Sequence, residues 1–498
     1  MMQRDTTQQP RGPAADKALR KYLAQHAEPE ADRIRECLAP DRHYGHVLCI
    51  AAYGEGEGLV RSLSSIPEGP RGAILIIVVV NESKSSPGWV RVANQDSLAA
   101  LRGRRAGAAE LGTPMERQSH PRGDLLIIDR THTGLVLPDD QGVGMARKIA
   151  ADVALALWTA GGIESPWIHC SDADVLFPAD YFSRPLAAGG DVRPGDGPAA
   201  FVYDFRHLTE PDPETARAAL RYEIFLRYNV LGLRSAGSPY AFHTVGSTLA
   251  LDPLAYARAR GFPRRRAGED FHLLAKLAKL GPVRALRGEP ILLSGRVSTR
   301  VPFGTGAGIA KQLERVEAGA FHPVYDPRVF AWLGVWLRTL SSLGEGKLPS
   351  EWSLRDCLSE LAAAVPEVDA ALLHDILDQL GAIRAAESGR HRGTRHLHER
   401  FDALRTLRFI HCLRDRRFAS IPLETALREA PFIALDSLAG GRDLAATREA
   451  LARLEATDLV ALGCGPPCVS AWPTSQTAID LVLPPILISA SAREHSVE

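Results

Sequence analysis

Hydrophobic residues between positions 46 and 172 occur in short unbroken runs, and segments of helical periodicity separate these runs. The runs are HVLCIAAY, GAILIIVVVN, GDLLIID and PWIHCSD, and they are typical of buried strands. The second is the clearest, because its β-branched residues form an unbroken run. The intervening segments EGEGLVRSLSSI and GVGMARKIAADVALALWTAGG have helical spacing, and the second ends at Gly161 and Gly162. Strands that alternate with helices predict a doubly wound, mostly parallel α/β sheet.

The pattern changes at both ends of the chain. Residues 1–44 are polar, with one or two short helices, and from about Gln312 onward Leu, Ala, Arg and Glu dominate with helical periodicity. Before that point, PAAFVYDF predicts another strand, and helices are expected from about Pro213 to Leu231 and in AGEDFHLLAKLAKLG. We therefore predict a polar N-terminal extension (1–44), an α/β domain (45–312) and a mainly α-helical C-terminal domain (313–498).

Composition excludes several classes of protein. The 498 residues contain 59 Lys and Arg against 59 Asp and Glu, and this balance gives no support for nucleic-acid or anionic-membrane binding. No apolar run approaches the roughly 18 residues of a membrane span, and the polar N-terminus does not resemble a secretory signal. Seven scattered cysteines fit reduced thiols, so we expect a cytoplasmic protein without an integral membrane segment.

Polar residues follow each predicted strand of the sheet. In doubly wound sheets, ligands bind beyond the carboxyl ends of the strands, so these residues should line one crevice. Asp172 and Asp174 are one residue apart at the end of the fourth run. Two carboxylates that face one crevice suit a hard divalent cation such as Mg²⁺ or Mn²⁺. The alternative is that Asp174 simply caps the following helix.

Five segments give this pair a context. In chain order they are CIAAYGEGEGLVRSL, IIVVVNES, CSDADVLFPADYF, VGSTLALDPLAYARARGFP and AGEDFHLLAKLAKLG. Their order and wording resemble the family 2 glycosyltransferases of the GT-A fold, over roughly residues 46–282. The resemblance implies transfer of a sugar from a nucleotide-sugar donor to an acceptor hydroxyl of unknown identity. The Q-x-x-R-W signature of the processive members is absent, which favours the addition of a single sugar.

The resemblance implies where the donor nucleotide binds. The turn at residues 52–55 matches the family's first turn, which contacts the base and ribose, although Gly54 replaces the usual Asn. The matching residues of this turn are Ala52, Tyr53 and Glu55. Asn81 and Glu82 stand where the family usually has two acids. Because Asn81 replaces the acid that reads uracil, the identity of the donor base stays open.

The resemblance also implies metal and catalytic roles. Asp172 matches the residue near the ribose and metal, and Asp174 matches the ligand of the Mn²⁺ or Mg²⁺ that holds the donor diphosphate. Glu269 and Asp270 match the E-D dipeptide, whose Asp is the general base of the inverting members. His272 is a candidate for a further metal ligand or an acceptor contact; otherwise it packs or faces solvent.

Downstream, SGRVSTRVPFGTGAGIAKQ combines arginines with glycines. Glycine gives the backbone freedom and arginine suits bidentate phosphate binding, so we predict that Arg296 and Arg300 belong to a lid over the donor diphosphate. The alternative is a surface loop. We expect no strand to lead into this segment, which distinguishes it from a P-loop or a Rossmann fingerprint.

Other functions stay open at the level of sequence. WIHCSDADV also resembles the first motif of haloacid-dehalogenase phosphatases, where Asp172 would be the nucleophile and Asp174 an acid/base. That motif usually opens its domain, whereas three predicted strands precede it here. A nucleotidyltransferase, or a non-catalytic scaffold with a glycosyltransferase-like domain, are further alternatives. The C-terminal domain is a candidate for acceptor binding, partner docking or homo-oligomerisation.

Overall fold

In a computed structural model, the chain forms two compact units. The first unit comprises residues 1–219 and 242–311, and the second comprises residues 220–241 and 312–498. Contacts thus group residues 220–241 with the second unit, although the sequence pattern assigned them to the α/β domain. The structure describes residues 13–37, 42–103, 115–189, 192–208, 211–298, 300, 304–318, 320–344, 399–433 and 443–457. Much of the predicted helical domain lies outside these ranges.

A single sheet forms the basis of the first unit. Its described strands are β1 (His46–Ala52), β2 (Ile74–Asn81), β3 (Met115–His120), β4 (Gly123–Arg130), β5 (Ile168–Asp172), β6 (Val175–Leu176), β7 (Ala200–His207), β8 (Leu249–Leu251) and β9 (Val283–Leu293). Their order across the sheet is β3-β4-β2-β1-β5-β8-β7-β9-β6. Strands β4, β2, β1 and β5 run parallel to one another. The prediction of a doubly wound, mostly parallel α/β sheet is confirmed.

Helices connect and cover these strands. Up to residue 317 they are α1 (Pro13–Gln25), α2 (Glu30–Cys37), α3 (Glu57–Ser64), α4 (Gly88–Leu101), α5 (Gly142–Thr159), α6 (Ser183–Gly189), α7 (Pro213–Ser235), α8 (Pro253–Arg258), α9 (Glu269–Leu277) and α10 (Thr305–Glu317). Every residue of β1 and β2 is buried. Helix α5 packs against β1, β2 and β5, so strands and helix form one apolar core.

The hydrophobic pattern did not predict β3 or β9. β3 is a polar edge strand that pairs antiparallel with β4, and β9 contains charged residues together with Gly288 and Pro290. The expectation that no strand leads into the arginine- and glycine-rich segment is therefore wrong, because β9 ends at Leu293. Gly306 and Gly308 of that segment lie within α10. β9 was missed because much of it is exposed and lacks an apolar run.

Described parts of the second unit are mainly helical. Its elements include β10 (Pro323–Val324), α11 (Arg328–Gly344), α12 (Ala403–Arg416), β11 (Ile421–Pro422), α13 (Leu423–Glu429) and α14 (Leu444–Ala456). They share an apolar core that includes Tyr228, Phe330 and Phe409. Buried Arg227 pairs with Glu223 at 3.0 Å and with Glu455 at 2.7 Å, which fixes α14 against α7. Among the helices that the structure describes, none is long and apolar enough to cross a membrane.

The N-terminal helices belong to the first unit and are fixed by a buried polar network. Fully buried Asp152 of α5 accepts hydrogen bonds from Tyr22 at 2.6 Å, Tyr256 at 2.8 Å and the backbone N–H of Glu28 at 2.9 Å. The Lys148 ammonium supplies the compensating charge, 2.7 Å from Asp152. Arg264, on the loop that precedes α9, pairs with Glu28 at 2.8 Å. The predicted extension thus connects α5 to that loop.

Replacement of Asp152 by Ala should destabilise the protein strongly, because it leaves the buried Lys148 with only the more distant carboxylate of Glu28, at 3.8 Å. We expect a loss of about 3–5 kcal/mol in the free energy of unfolding, measured by urea denaturation. The control is Asp196→Ala at an exposed loop position, with an expected change within about 0.5 kcal/mol. An Asp152→Ala variant as stable as the control would contradict the role given to this network.

Candidate active site

The crevice lies where the strand order reverses. β1 has β2 on one side and β5 on the other, and the parallel pairing of β1 with β5 sets Ala51 beside Asp172. The turns after these two strands therefore meet at one edge of the sheet, which is where ligands bind in doubly wound folds. Glu55 lies in the first turn. Asp174 lies in the second turn, between β5 and β6.

Antiparallel pairing of β6 with β9 brings two arginines to the same edge. Val175 pairs with Leu293, so the segment after β9 passes directly over Asp174. Arg296 donates to Asp174 Oδ2 at 2.8 Å and also to the Glu55 carboxylate. Arg300 donates to the same carboxylate and, at 2.8 Å, to the carbonyl of Gly54. We call Glu55, Asp174, Arg296 and Arg300 the donor-side cluster.

Burial disfavours the ionised carboxyl groups of the donor-side cluster, although two guanidinium groups contact them. Burial, followed by repulsion from Asp174, raises the pKa of Glu55 to about 7, despite the opposing effect of Arg300 and Arg296. Burial also raises the pKa of Asp174, and the Asp172 carboxylate adds to this while Arg296 opposes it. A further positive charge at this edge would stabilise the ionised form of both carboxyl groups.

A second set of contacts centres on Arg147 of α5. One nitrogen of its guanidinium donates to Glu269 Oε1 and the other to Asp172 Oδ1. The Arg147 side chain is 8% exposed and that of Glu269 only 2%. A side-chain carbon at Gly246 would lie 2.5–2.7 Å from the guanidinium, so glycine at this position makes room for Arg147. We call this contact the Arg147 bridge, because it joins the D-x-D turn to the E-D dipeptide.

Asp270 lies beside the Arg147 bridge at the start of α9. Gly268 begins the helix in a left-handed conformation (φ 72°), which suits glycine. The half-buried Asp270 carboxylate accepts from the N–H of Phe271 at 2.7 Å. Burial raises the pKa of Asp270 to about 7; the neighbouring Glu269 adds to the shift and Arg147 opposes it. A carboxyl group with this pKa is suited to general-base catalysis near neutral pH.

The remaining predicted donor residues organise the first turn. Asn81, which is 3% exposed, donates from its amide to the Ala52 carbonyl at 2.8 Å. Asn94 of α4 accepts from the N–H of Gly54 at 2.8 Å and donates to the Asn81 carbonyl at 2.9 Å. Tyr53 shares a hydrogen bond of 3.1 Å with Ser86. These contacts hold the turn next to the end of β2.

Glu82 contacts Arg91 of α4, and His272 contacts its neighbour Phe271. Glu82 is buried and 3.8 Å from the Arg91 guanidinium, and burial raises its pKa. The ring of half-buried His272 meets that of Phe271 edge-on, with 5.4 Å between centroids. A role for His272 in metal binding stays a prediction.

Asp172 and Asp174 offer oxygen donors of the kind that a hard divalent cation prefers. Within the described ranges, no group of three or more His, Cys, Asp or Glu side chains is arranged to hold a metal ion. Mg²⁺, however, is commonly bound by one or two carboxylates together with substrate phosphates. Asp174 supplies such a carboxylate; burial raises its pKa, Asp172 adds to the rise, and Arg296, 2.8 Å away, opposes it. The residues therefore fit a hard cation that shares its coordination with a phosphate ligand.

Arg147 belongs to none of the five sequence motifs. The residue lies in a helix whose remaining residues are largely apolar, and it is 25 residues from Asp172 and 122 from Glu269. The available signal was the adjacent pair Arg147 and Lys148 in the middle of GVGMARKIAADVALALW. Both side chains are buried and both have carboxylate partners.

Known proteins that match this chain were found among solved structures. No protein-family model matches the sequence, and a search of curated proteins finds no match. Solved structures give loose matches. TarS (residues 1–349) of S. aureus, in complex with UDP-GlcNAc, is 10% identical over 72% of this chain and 91% of that one, with a TM-score of 0.34. The mannosyltransferase PcManGT of Pyrobaculum calidifontis, in complex with GDP-Man and Mn²⁺, is 19% identical. The match covers 81% of this chain and 96% of that one, with a TM-score of 0.32.

Replacement of Arg147 by Met should leave the Glu269 carboxylate buried without a cation. We expect a loss of about 3–5 kcal/mol in the free energy of unfolding, and a smaller loss when Glu269→Gln is added, because both charges are then removed. Urea denaturation of the single and double variants measures this difference. Arg265→Met, at an exposed position on the neighbouring loop, is the control. A double variant less stable than Arg147→Met would show that the bridge is not the source of the effect.

Proposed function

We propose that this protein is a glycosyltransferase that moves a sugar from a nucleotide-sugar donor to an acceptor hydroxyl. The observation that supports the proposal best is the Arg147 bridge. It brings Asp172 of the D-x-D turn and Glu269 of the E-D dipeptide together, although 97 positions separate them in the sequence. Glycosyl transfer requires such proximity, because the leaving diphosphate and the attacking hydroxyl must meet at one anomeric carbon.

The donor-side cluster is proposed to bind the diphosphate of the donor. Arg296 and Arg300 present guanidinium groups at the carboxyl edge of the sheet, and guanidinium is suited to bidentate phosphate contacts. Asp174, with Asp172 beside it, would hold Mn²⁺ or Mg²⁺ there. A bound divalent cation neutralises the negative charge that develops on a departing diphosphate.

Asp270 is proposed to be the general base. As the acceptor hydroxyl attacks the anomeric carbon, its oxygen forms the new glycosidic bond, its proton moves to the Asp270 carboxylate, and the bond to the diphosphate breaks. Such a single displacement inverts the configuration at that carbon. Glu269, held by the Arg147 bridge, is assigned the positioning of α9 and therefore of Asp270. Repulsion from Glu269 also helps to raise the pKa of Asp270 to about 7, to which burial contributes most.

Donor binding should depend on both the metal and Asp174. We expect at least one of UDP-, GDP-, ADP- and dTDP-sugars to raise the melting temperature more in the presence of Mn²⁺ than in its absence. Asp174→Asn should abolish this additional rise, because it removes the proposed carboxylate ligand of the metal. Thermal-shift assays with and without Mn²⁺ measure the effect. Asp204→Asn, at a half-buried position outside the proposed site, is the control. If no nucleotide sugar stabilises the protein in a metal-dependent way, the proposed function is wrong.

Transfer should require an ionised Asp270. Below its pKa of about 7 this carboxyl group holds its proton and cannot accept another, so we expect kcat/KM to rise with pH and level off above about 7. Asp270→Asn should keep donor binding and abolish transfer, measured as release of the nucleoside diphosphate. Glu55 titrates in the same range, but the acidic limb should persist in Glu55→Gln. A scaffold would bind donor without any turnover, and a profile that is flat from about pH 5 to about pH 8 would exclude Asp270 as the base.

A further inference from the structure

A half-exposed tryptophan lies against the first turn. Trp89, the second residue of α4, is 50% exposed. Its ring lies so close to Gly54 that a side-chain carbon there would be 2.8 Å from a ring atom, and Gly54 has φ 64°. The glycine that departs from the family pattern is thus the residue that admits this ring.

The Trp89 ring also lies next to the donor-side cluster. The Arg300 guanidinium carbon is 5.8 Å from the ring centroid, a distance typical of cation–π contact. The same guanidinium donates to Glu55 and, at 2.8 Å, to the Gly54 carbonyl. Arg300 therefore links the aromatic surface to the carboxylates where the donor diphosphate is proposed to bind.

Strand order gives the direction in which the donor extends. The diphosphate is assigned to the edge between β1 and β5, whereas α4 follows β2 on the opposite side of β1. Neighbouring strands are about 4.8 Å apart, so a ligand that begins at β5 and passes over β1 arrives near Trp89 within two strand spacings. The ribose and base of a nucleoside diphosphate extend over such a distance from the phosphates.

We propose that Trp89 is the aromatic platform on which the nucleobase of the donor stacks; this inference rests on the proposed function. Stacking uses the π-face that every base has, and it contributes affinity without reading the edge of the base. Asn81 is unsuited to edge reading, because it is buried and its amide donates to Ala52. Donor binding should accordingly depend on the presence of a base more than on its identity.

Three variants test the platform. Trp89→Ala removes the ring, Trp89→Phe keeps a smaller aromatic face without the indole, and Val92→Ala is the matched control one turn along α4, where the side chain is 58% exposed. Calorimetry with UDP, GDP, ADP and dTDP in the presence of Mn²⁺ gives dissociation constants for each variant. Tryptophan fluorescence during the same titrations reports whether a base contacts the indole.

For each nucleotide that the unchanged protein binds, we expect Trp89→Ala to weaken binding about tenfold or more, and Trp89→Phe and Val92→Ala to weaken it about twofold at most. Nucleotide should quench fluorescence in the unchanged protein and in Val92→Ala, and the quench should be largely lost in Trp89→Phe although that variant still binds. Unchanged affinity in Trp89→Ala, or a quench that persists in Trp89→Phe, would overturn the inference while the proposed function stands. If the unchanged protein binds none of these nucleotides, both are overturned.

Discussion

Repulsion among carboxylates at one sheet edge is the constraint on which the site depends. Five carboxyl groups lie there, those of Glu55, Asp172, Asp174, Glu269 and Asp270. In addition to burial, Asp174 raises the pKa of Glu55, Asp172 raises that of Asp174, and Glu269 raises that of Asp270. Three guanidinium groups compensate them in the described residues, those of Arg147, Arg296 and Arg300. Five carboxyl groups thus face three guanidinium groups. Burial, with repulsion from neighbouring carboxylates added to it, raises the pKa of Glu55 and that of Asp270 to about 7. In the proposed function, a divalent cation would add positive charge beside these carboxylates, and Arg296 and Arg300 would contact the diphosphate of the donor.

Three glycines let these charged groups approach one another. Gly246 leaves space for the Arg147 guanidinium, and Gly268 takes the left-handed conformation with which α9 begins. Gly54 has a positive φ, and the Trp89 ring lies where a side chain at this position would be. Their conformational freedom has a cost in entropy on folding, which the ion pairs and the surrounding apolar core offset. The crevice is thus formed by the absence of side chains as much as by the charged groups that line it.

The N-terminal segment extends this organisation beyond the sheet. Lys148 follows Arg147 directly, so one helix presents adjacent cations to two different sets of carboxylates. Arg147 holds the D-x-D and E-D motifs, whereas Lys148 and Asp152 hold Tyr22 and Glu28 of the N-terminal segment. Because Glu28 also pairs with Arg264 ahead of α9, the segment supports the loop that leads into the proposed base. A polar stretch that looked like an appendage is in fact part of the first unit.

The local hydrophobic pattern predicted the central strands of the sheet, α5 and the acidic residues at the strand ends. It could do so because burial and helical periodicity depend on residues that are close together in the sequence. It missed β3 and β9, since an edge strand and a partly exposed strand need no long apolar run. The partners of the carboxylates were decided only in three dimensions. Arg296 is 241 residues from Glu55, and Arg147 is 122 residues from Glu269, so their pairing follows from strand order and register. The sequence thus determined which groups could carry the chemistry, and the tertiary structure decided which charges face one another.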